Sequence, residues 1–364
     1  MQINLKREDL LKPLSCVAGV VERRQTLPIL SYVLLKQADG GGTLTGTDLE
    51  VEVVAGFKAS GKAEMTLPAR KLLDICRALP AEAMLEIKKE GEKAVIKAGR
   101  SRYTLLTLPV TDFPNIETSQ WEQSLSIPQK DFKRLLDLTQ FCMAQQDVRY
   151  YLNGLLLEFG ANRLRAVATD GHRMALSDLE LKKGGKGERQ AIVPRKGIHE
   201  ISRLLEDGEG TVELLLSPNH LRVQTQQLTF TSKLIDGRYP DYNKVIPAAQ
   251  TKQIKIERGV LRETLSRAAI LSNEKYRGVR LNLEEKTMKI TAHNPEQEEA
   301  QEEIAIDYSG EPLEIGFNVS YLIDAVSAHA AEHIILGLSD SNSSCTITAP
   351  DDKHTKFIVM PMRL

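Results

Sequence analysis

Cysteine is scarce in this 364-residue sequence. Cys16, Cys76, Cys142 and Cys345 lie far apart, with no C-x-x-C pair and no repeated spacing, so neither a disulfide framework nor a zinc cluster is expected, only buried reduced thiols. Charge of one sign is lacking too. The 48 basic and 49 acidic side chains leave a net charge of -1, which excludes a wholesale basic coat and requires any polyanion binding to come from local asymmetry. No apolar run approaches the roughly 18 residues that cross a bilayer. The opening "MQINLKREDLLKP" alternates polar and apolar residues without the core of a signal peptide, so a cytoplasmic protein without membrane contact is expected. G-x-S-x-G, P-loop and G-x-G-x-x-G motifs are all missing. What remains, 41% hydrophobic and 27% charged residues, is the composition of a folded soluble chain, long enough for two or three domains.

What is present is repetition, which decides the architecture. "LKREDLLKPLSCVAGVV" from Leu5, "IPQKDFKRLLDLTQFCM" from Ile127 and "IERGVLRETLSRAAIL" from Ile256 each combine an extended lead-in, a charged opening and apolar residues at helical spacing. Each is followed by strand-like sequence broken at a polar turn: "LTGTDLEVEVVAGF" from Leu44, "LRAVATDGHRMALSDL" from Leu164 and "MKITAHNPEQEEAQEEIAI" from Met288. A second helix recurs as "LPARKLLDICRALP" from Leu67, "VPRKGIHEISRLLED" from Val193 and "FNVSYLIDAVSAHAAE" from Phe317, trailed by short alternating strands. The unit is helix, strands, helix, strands, with antiparallel hairpins half-buried on one face, and the fold class is α+β. Polar, proline-bearing seams at "PNIETSQWEQS" and "IPAAQTKQ" divide the chain into modules 1–122, 123–250 and 251–364. The first module carries the basic stretches "ARKLLDICR" and "GRSRYTLL", the third the acidic run "PEQEEAQEE" and the apolar step "AAIL". Surfaces joined head to tail close into a ring or run on as a fibre, and a soluble chain is expected to close.

The stretch "ATDGHRMALS" gathers Asp170, His172 and Arg173 beside Gly171, the residue types of acid-base chemistry or metal binding. Catalysis needs a third group within hydrogen-bond reach. The other modules read "GTDLE" and "TAHNPE" at the equivalent place, so the module requires a turn there but not a histidine. His329, Glu332 and His333 spell H-x-x-E-H, which demands both imidazoles on one face of a continuous helix. Ala330 aligns with Pro80 of the first module, so the helix is expected to end within the motif. The terminus "FIVMPMRL" suits either an adaptable apolar groove or the completion of a last strand. The helices carry Arg7, Lys12, Arg70, Lys71, Arg77, Lys130, Lys133, Arg134, Arg195, Lys196, Arg203, Arg262 and Arg267, with fewer acids to balance them. Such residues ordinarily just solvate a helix. Gathered by a repeat onto one wall, they would hold phosphates without reading bases. "VVERRQTLPIL" sets Arg23 and Arg24 beside a proline, and "QQDVRYYLNG" offers Gln146, Arg149, Tyr150 and Tyr151 for phosphate or base stacking, the two tyrosines serving equally well as packing residues.

"TLPIL", "LTGTDLE", "LPARK", "QDVRYYLNG", "VATDGHR", "FTSKLIDGRYPDY", "AAILSNEKYRGVR", "NPEQEEA", "IGFNVSYL" and "VMPMRL" run in this order through all three modules. On these stretches the chain resembles the bacterial DNA polymerase sliding clamps, the beta subunits of the replicative holoenzyme. The resemblance implies a ring of two head-to-tail chains, helices inside and antiparallel sheets outside, that slides on duplex DNA without sequence readout. It implies DNA contacts at Arg24 and Gln146, joined by Arg70, Lys71, Arg195, Lys196, Arg203, Tyr150 and Tyr151. It implies a dimer seam at Arg102, Tyr103, Leu105, Ile270 and Leu271. It further implies a cleft between the second and third modules, built by Leu152, Thr169, Gly171, His172, Arg173, Met174, Pro240, Val245, Asn318, Tyr321, Met360, Pro361, Met362, Arg363 and Leu364. That cleft would take short motifs, a glutamine followed by leucine and phenylalanine, from the replicative polymerase catalytic subunit, the clamp loader and the repair and translesion polymerases. No cofactor, metal or enzymatic activity is implied, and the expected location is cytoplasmic and nucleoid-associated. Glu22 and Arg23 depart from the smaller, glycine-like turn of the family. Two other readings stand beside it: a hydrolase working through His172 or the His329 to His333 pair, and a monomeric three-module adaptor that never encircles DNA.

Overall fold

Helices form where the repeated pattern places them. In the computed structural model, which describes residues 1–21, 27–39, 41–116, 120–181, 187–248 and 250–363, they are α1 (Arg7–Ala18), α2 (Ala69–Ala78), α3 (Gln129–Asp137), α4 (Arg195–Leu204), α5 (Arg258–Ala268) and α6 (Val319–Ala328). Their periodicity explains their faces. In α2, Leu72, Leu73 and Cys76 are buried while Arg70, Lys71, Asp74 and Arg77 face solvent, the stripe expected of a helix lying on a core. Pro80, two residues past the end of α2, cannot continue the helix.

The threefold repeat reaches single hydrogen bonds. The first residue of the first helix in each repeat donates its backbone N–H to a carbonyl beyond the second helix: Arg7 to Ala83, Gln129 to Gly210 and Arg258 to Glu332, each at 2.8 Å. The side chain of the same residue makes a second bond nearby, Arg7 Nε to Cys76 O, Gln129 Nε2 to Glu206 O and Arg258 Nε to Ala331 O. Two different residue types fill this place because what it demands is a long side chain ending in an N–H donor.

The chain divides into two compact units, one of residues 1–130 with 199–234 and the other of residues 131–198 with 235–364, so the segment 123–250 contributes to both. In the first unit one twelve-stranded antiparallel sheet runs from the outermost strand Ser101–Leu106 to the opposite edge Gln123–Pro128. It is continuous because Leu228–Lys233 pairs with Val51–Phe57, Leu228 opposite Ala55 and Ser232 opposite Val51. The second unit has an eight-stranded sheet, in which Arg173–Glu180 pairs with Asp352–Val359, and a four-stranded sheet whose outermost strands are Glu299–Ala305 and Leu313–Asn318. Inward positions alternate with polar ones, as in Gln123–Pro128, where Leu125 and Ile127 are buried and Ser124 and Ser126 are not. The four cysteines are unbonded thiols, three of them buried. Among the described residues no helix is long and apolar enough to cross a membrane.

Candidate functional site

The sequence Thr169 to Arg173 folds as a turn held by its own side chains. Asp170 Oδ1 accepts the backbone N–H of His172 and of Arg173 at 2.9 and 3.0 Å, and Thr169 Oγ1 accepts that of Gly171 at 3.1 Å. The first repeat makes the same turn without a histidine: Asp48 Oδ1 accepts from Glu50 and Val51, and Thr47 Oγ1 from Leu49. The third residue is left-handed in both, φ +90° at Gly171 and 78° at Leu49. Asp170 is therefore a turn former whose other oxygen receives Arg173 Nε at 3.0 Å. Ser177, the hydroxyl nearest in sequence, is buried with its Oγ 3.0 Å from Thr355 Oγ1. The acid of the apparent dyad serves backbone geometry here.

Gly171 has a second reason to lack a side chain. A Cβ there would stand 2.9 Å from a guanidinium nitrogen of Arg149, an arginine clamped by Asp147, whose carboxyl it holds down at about 2. Arg173 ties the turn to its surroundings: it donates to Asp324 Oδ2 on α6 and to Phe141 O, and lies over the Tyr321 ring at 4.6 Å. His172 is exposed and stacks on Tyr321, ring centroids 6.4 Å apart and planes within 19°. Its carbonyl accepts the N–H of Met360 at 2.9 Å, and Met362 N–H reaches Gly316 O, so the terminal segment is stitched to both sheets of the second unit. Asn318 caps α6, its Oδ1 accepting from Ser320 and Tyr321 N–H.

Beneath the turn, Leu152, Leu156, Val167, Met174, Leu176, Ile192, Tyr239, Tyr242 and Ile358 form one buried cluster, with Tyr151, Val245 and Ile246 packed on its flank. Burial raises the Tyr239 phenol, which accepts the N–H of Thr169 at 3.1 Å, and likewise raises the phenol of the half-buried Tyr321. Twelve of the fifteen expected cleft positions thus fall on four adjoining pieces: the loop at Leu152, the turn 169–174, the N-terminal turn of α6 with Asn318, and the terminal segment 360–363. Pro240, exposed, and Val245 belong to the adjoining segment 239–246, and Leu364 lies outside the described residues. Asp324, Phe141, Tyr239 and Tyr242 were not legible as site residues. Asp324 alone had a signal, three places after Tyr321 on one helix face.

The cationic positions are less free than their count implied. Lys12 pairs with Glu206, Lys133 with Asp137, Arg134 with Asp352, Arg203 with Glu200 and Arg267 with Glu302. Arg203 also donates to Cys16 O, and Arg195 to Met143 O, so both act as braces. The expectation that acids would be too few to balance the helices is corrected in this respect: several come from neighbouring elements that a helix-by-helix count omits. Arg70, Lys71, Arg77, Lys130 and Arg262 are exposed, and Lys196 is half-buried. Gln146 is left-handed (φ 56°) and exposed, and Tyr150 is more than half exposed. Tyr151 is the packing member of that pair. Arg24, with Glu22 and Arg23, lies outside the described residues. At the expected seam Arg102 is exposed and Tyr103 half-buried, while Leu105 turns into the core at 9% exposure and its neighbour Leu106 is 61% exposed. Ile270 is 75% exposed and Leu271 intermediate.

The H-x-x-E-H motif is broken by its backbone. Helix α6 ends at Ala328, His329 has extended dihedrals, and His333 opens the strand His333–Leu338. His329 is buried edge-on to Phe357 at 4.7 Å, so the two imidazoles share no helix face.

Family models match in order along the chain: the DNA polymerase III beta subunit N-terminal domain over residues 1–117, its central domain over 126–241 and its C-terminal domain over 243–363. The chain belongs to the DNA polymerase III beta subunit family. It is 53% identical to the beta sliding clamp of Pseudomonas putida and 47% identical to that of Escherichia coli, over the full length of both chains in each case. The crystal structure of the DNA polymerase III subunit beta from Pseudomonas aeruginosa superposes with a TM-score of 0.97 at 52% identity, covering all of each chain. Another Pseudomonas aeruginosa sliding clamp, also at TM-score 0.97, is bound to griselimycin. The α+β fold of three clamp domains expected from the repeats is that of this family.

Proposed function

We propose that this chain is a DNA sliding clamp and processivity factor, and that it tethers proteins to DNA rather than transforming a substrate. Two copies join head to tail around duplex DNA, and the ring moves without reading bases. The replicative polymerase, the clamp loader and the repair and translesion polymerases dock short peptides in the cleft around Thr169, Gly171, His172, Arg173, Met360 and Met362. Tethering replaces repeated rebinding with a high local concentration.

The observation that carries the docking role is the convergence of the 169–174 turn, Tyr321 and the methionine-rich terminus on one surface above the buried cluster. Methionine and a stacked aromatic pair at the surface, His172 exposed and Tyr321 half-buried, suit ligands that differ in detail. Joining is supported by two outermost strands of opposite charge, Ser101–Leu106 with Arg102 and Glu299–Ala305 with Glu299, Glu302 and Glu303, which could extend each other's sheets across a seam flanked by Leu106 and Ile270. DNA contact is assigned to Arg24, Arg70, Lys71, Gln146, Tyr150, Tyr151, Arg195, Lys196 and Arg203, with phosphate attraction falling on the exposed Arg70, Lys71 and Gln146 region more than on the braced Arg195 and Arg203. The test of docking is removal of Met362 to Leu364 with measurement of binding to a fluorescent peptide bearing glutamine, leucine and phenylalanine. Binding should vanish while sedimentation remains that of the intact oligomer; unchanged peptide affinity would remove the cleft assignment.

A further inference from the structure

Four side chains on adjacent strands of the eight-stranded sheet form a polar row. Gln190 stands opposite Glu158, Glu158 opposite Arg165, and Arg165 opposite Asp178. The row is fully bonded: Gln190 Nε2 donates to Glu158 Oε1 at 2.8 Å, and Arg165 Nε and Nη2 donate to the two oxygens of Asp178 at 2.6 and 2.7 Å. Over its middle lies Tyr242. Its hydroxyl donates to Glu158 Oε2 at 2.6 Å and accepts from Arg165 Nη1 at 3.2 Å, while its ring is buried in the cluster beneath the turn at Thr169. A bidentate arginine presents a rigid fork, so the position offered to the tyrosine oxygen is fixed on both sides.

Tyr242 opens the short 3-10 turn Tyr242–Val245. With three residues per turn, positions i and i+3 eclipse, so Tyr242 and Val245 share one side of it. Val245 packs on the flank of the same cluster, and Pro240 follows directly on Tyr239, whose hydroxyl receives the Thr169 N–H. The segment that carries two of the cleft's walls therefore hangs from two tyrosine hydroxyls, one on the turn and one on the polar row.

We propose that Tyr242, held by Glu158 and Arg165, is a positioning residue that sets the Pro240–Val245 wall of the peptide cleft from behind. It touches no docked peptide and acts through Val245. The proposal rests on the cleft reading above. The row ends in an excess of one carboxylate, Glu158, whose second oxygen has the tyrosine as its bonded neighbour; without that hydroxyl the wall loses its anchor while the apolar cluster stays filled.

The experiment measures binding of the fluorescent peptide to the full-length dimer, together with thermal unfolding. Y242F should weaken binding about tenfold with an unfolding midpoint close to that of the parent. E158A, which cuts the same latch from the sheet side, should weaken it similarly, and E158Q, which keeps an oxygen for the tyrosine O–H, should recover most of the loss. In a V245A background Y242F should cost little more, because the residue through which it acts is gone. Parent-like affinity in both Y242F and E158A, or losses that simply multiply in Y242F/V245A, would overturn the positioning role. If the parent protein fails to bind the peptide at all, the cleft reading itself falls and takes the proposal with it.

Discussion

Gly171 and Leu49 occupy one turn in two repeats, and the physical demands on them differ. Both are left-handed, where a side chain other than glycine costs about 1–2 kcal/mol. Leu49 bears that cost in an open turn, whereas a Cβ at Gly171 would also meet the guanidinium of Arg149. G171A is expected to lose stability by at least about 1 kcal/mol in urea titration and to weaken peptide binding, while L49G changes stability by less than about 1 kcal/mol in either direction and leaves peptide binding intact. Equal losses in the two variants would mean that the contact with Arg149 is irrelevant. His329 gives a pH prediction at the same scale. Burial against Phe357 lowers its pKa below the ordinary 6.5. The unfolded chain then takes up a proton that the folded chain refuses, so stability from this residue is present above pH 6.5 and is lost as pH falls below it. H329F, which keeps the ring contact and removes the titration, should flatten the decline in urea midpoint between pH 7 and pH 5. An unaltered slope would place the acid sensitivity elsewhere.

The turn at Thr47 to Val51 repeats the cleft's turn down to its neighbours: Lys233 N–H bonds Glu50 O as Met360 N–H bonds His172 O. Yet where the cleft has Met174 under the turn, the first repeat has Glu52, buried and accepting the N–H of Ile116, with Arg222 nearby and stacked on Trp121. A polar plug binding the chain's own linker replaces the apolar floor, a difference that favours the second turn over the first as the proposed docking surface. Burial raises the Glu52 carboxyl, so its contribution to stability is present at pH below the ordinary 4.5 and is lost as pH rises through its folded value. E52Q is therefore expected to raise the unfolding midpoint at pH 7 and to lose that advantage as pH approaches 4.5; a destabilised E52Q at pH 7 would show that charge, not just an acceptor, is needed by Ile116. How much of this was legible follows from what repeats. Helices α1 to α6 and the antiparallel hairpins could be read because apolar period and turn residues recur three times along the chain, whereas the end of α6, expected within the H-x-x-E-H motif, comes before it at Ala328. Glu52, Asp324 and Tyr242 could not, since each matters through a residue 64 to 170 positions away or through a strand register that only the folded chain displays. Leu105 and Leu106 show the same limit in small: two adjacent leucines on a strand face opposite ways, and which one is exposed depends on pairing, Leu105 with Ala94.

At the scale of the molecule, a chain of net charge -1 has to hold a polyanion, and the ion pairs along its helices neutralise part of the cationic surface that would do so. Electrostatic affinity alone would then be modest and would fall steeply with salt. Persistence on DNA has to come from closure, which places the burden on the joint between two copies. Ile270 is the most exposed large apolar side chain on α5 and the turn that follows it, and a charge there would sit unpaired in the seam proposed above. Opposing that seam with I270D and L271D should give monomers in sedimentation whose peptide affinity is unchanged, because the cleft lies wholly within one chain. The parent protein, placed on circular plasmid by a clamp loader and ATP, should survive a high-salt wash and leave the DNA when the plasmid is linearised, whereas the double variant should be washed off both forms. Retention of the variant on circular DNA, or salt-labile binding of the parent, would mean that charge rather than encirclement holds the protein to its track.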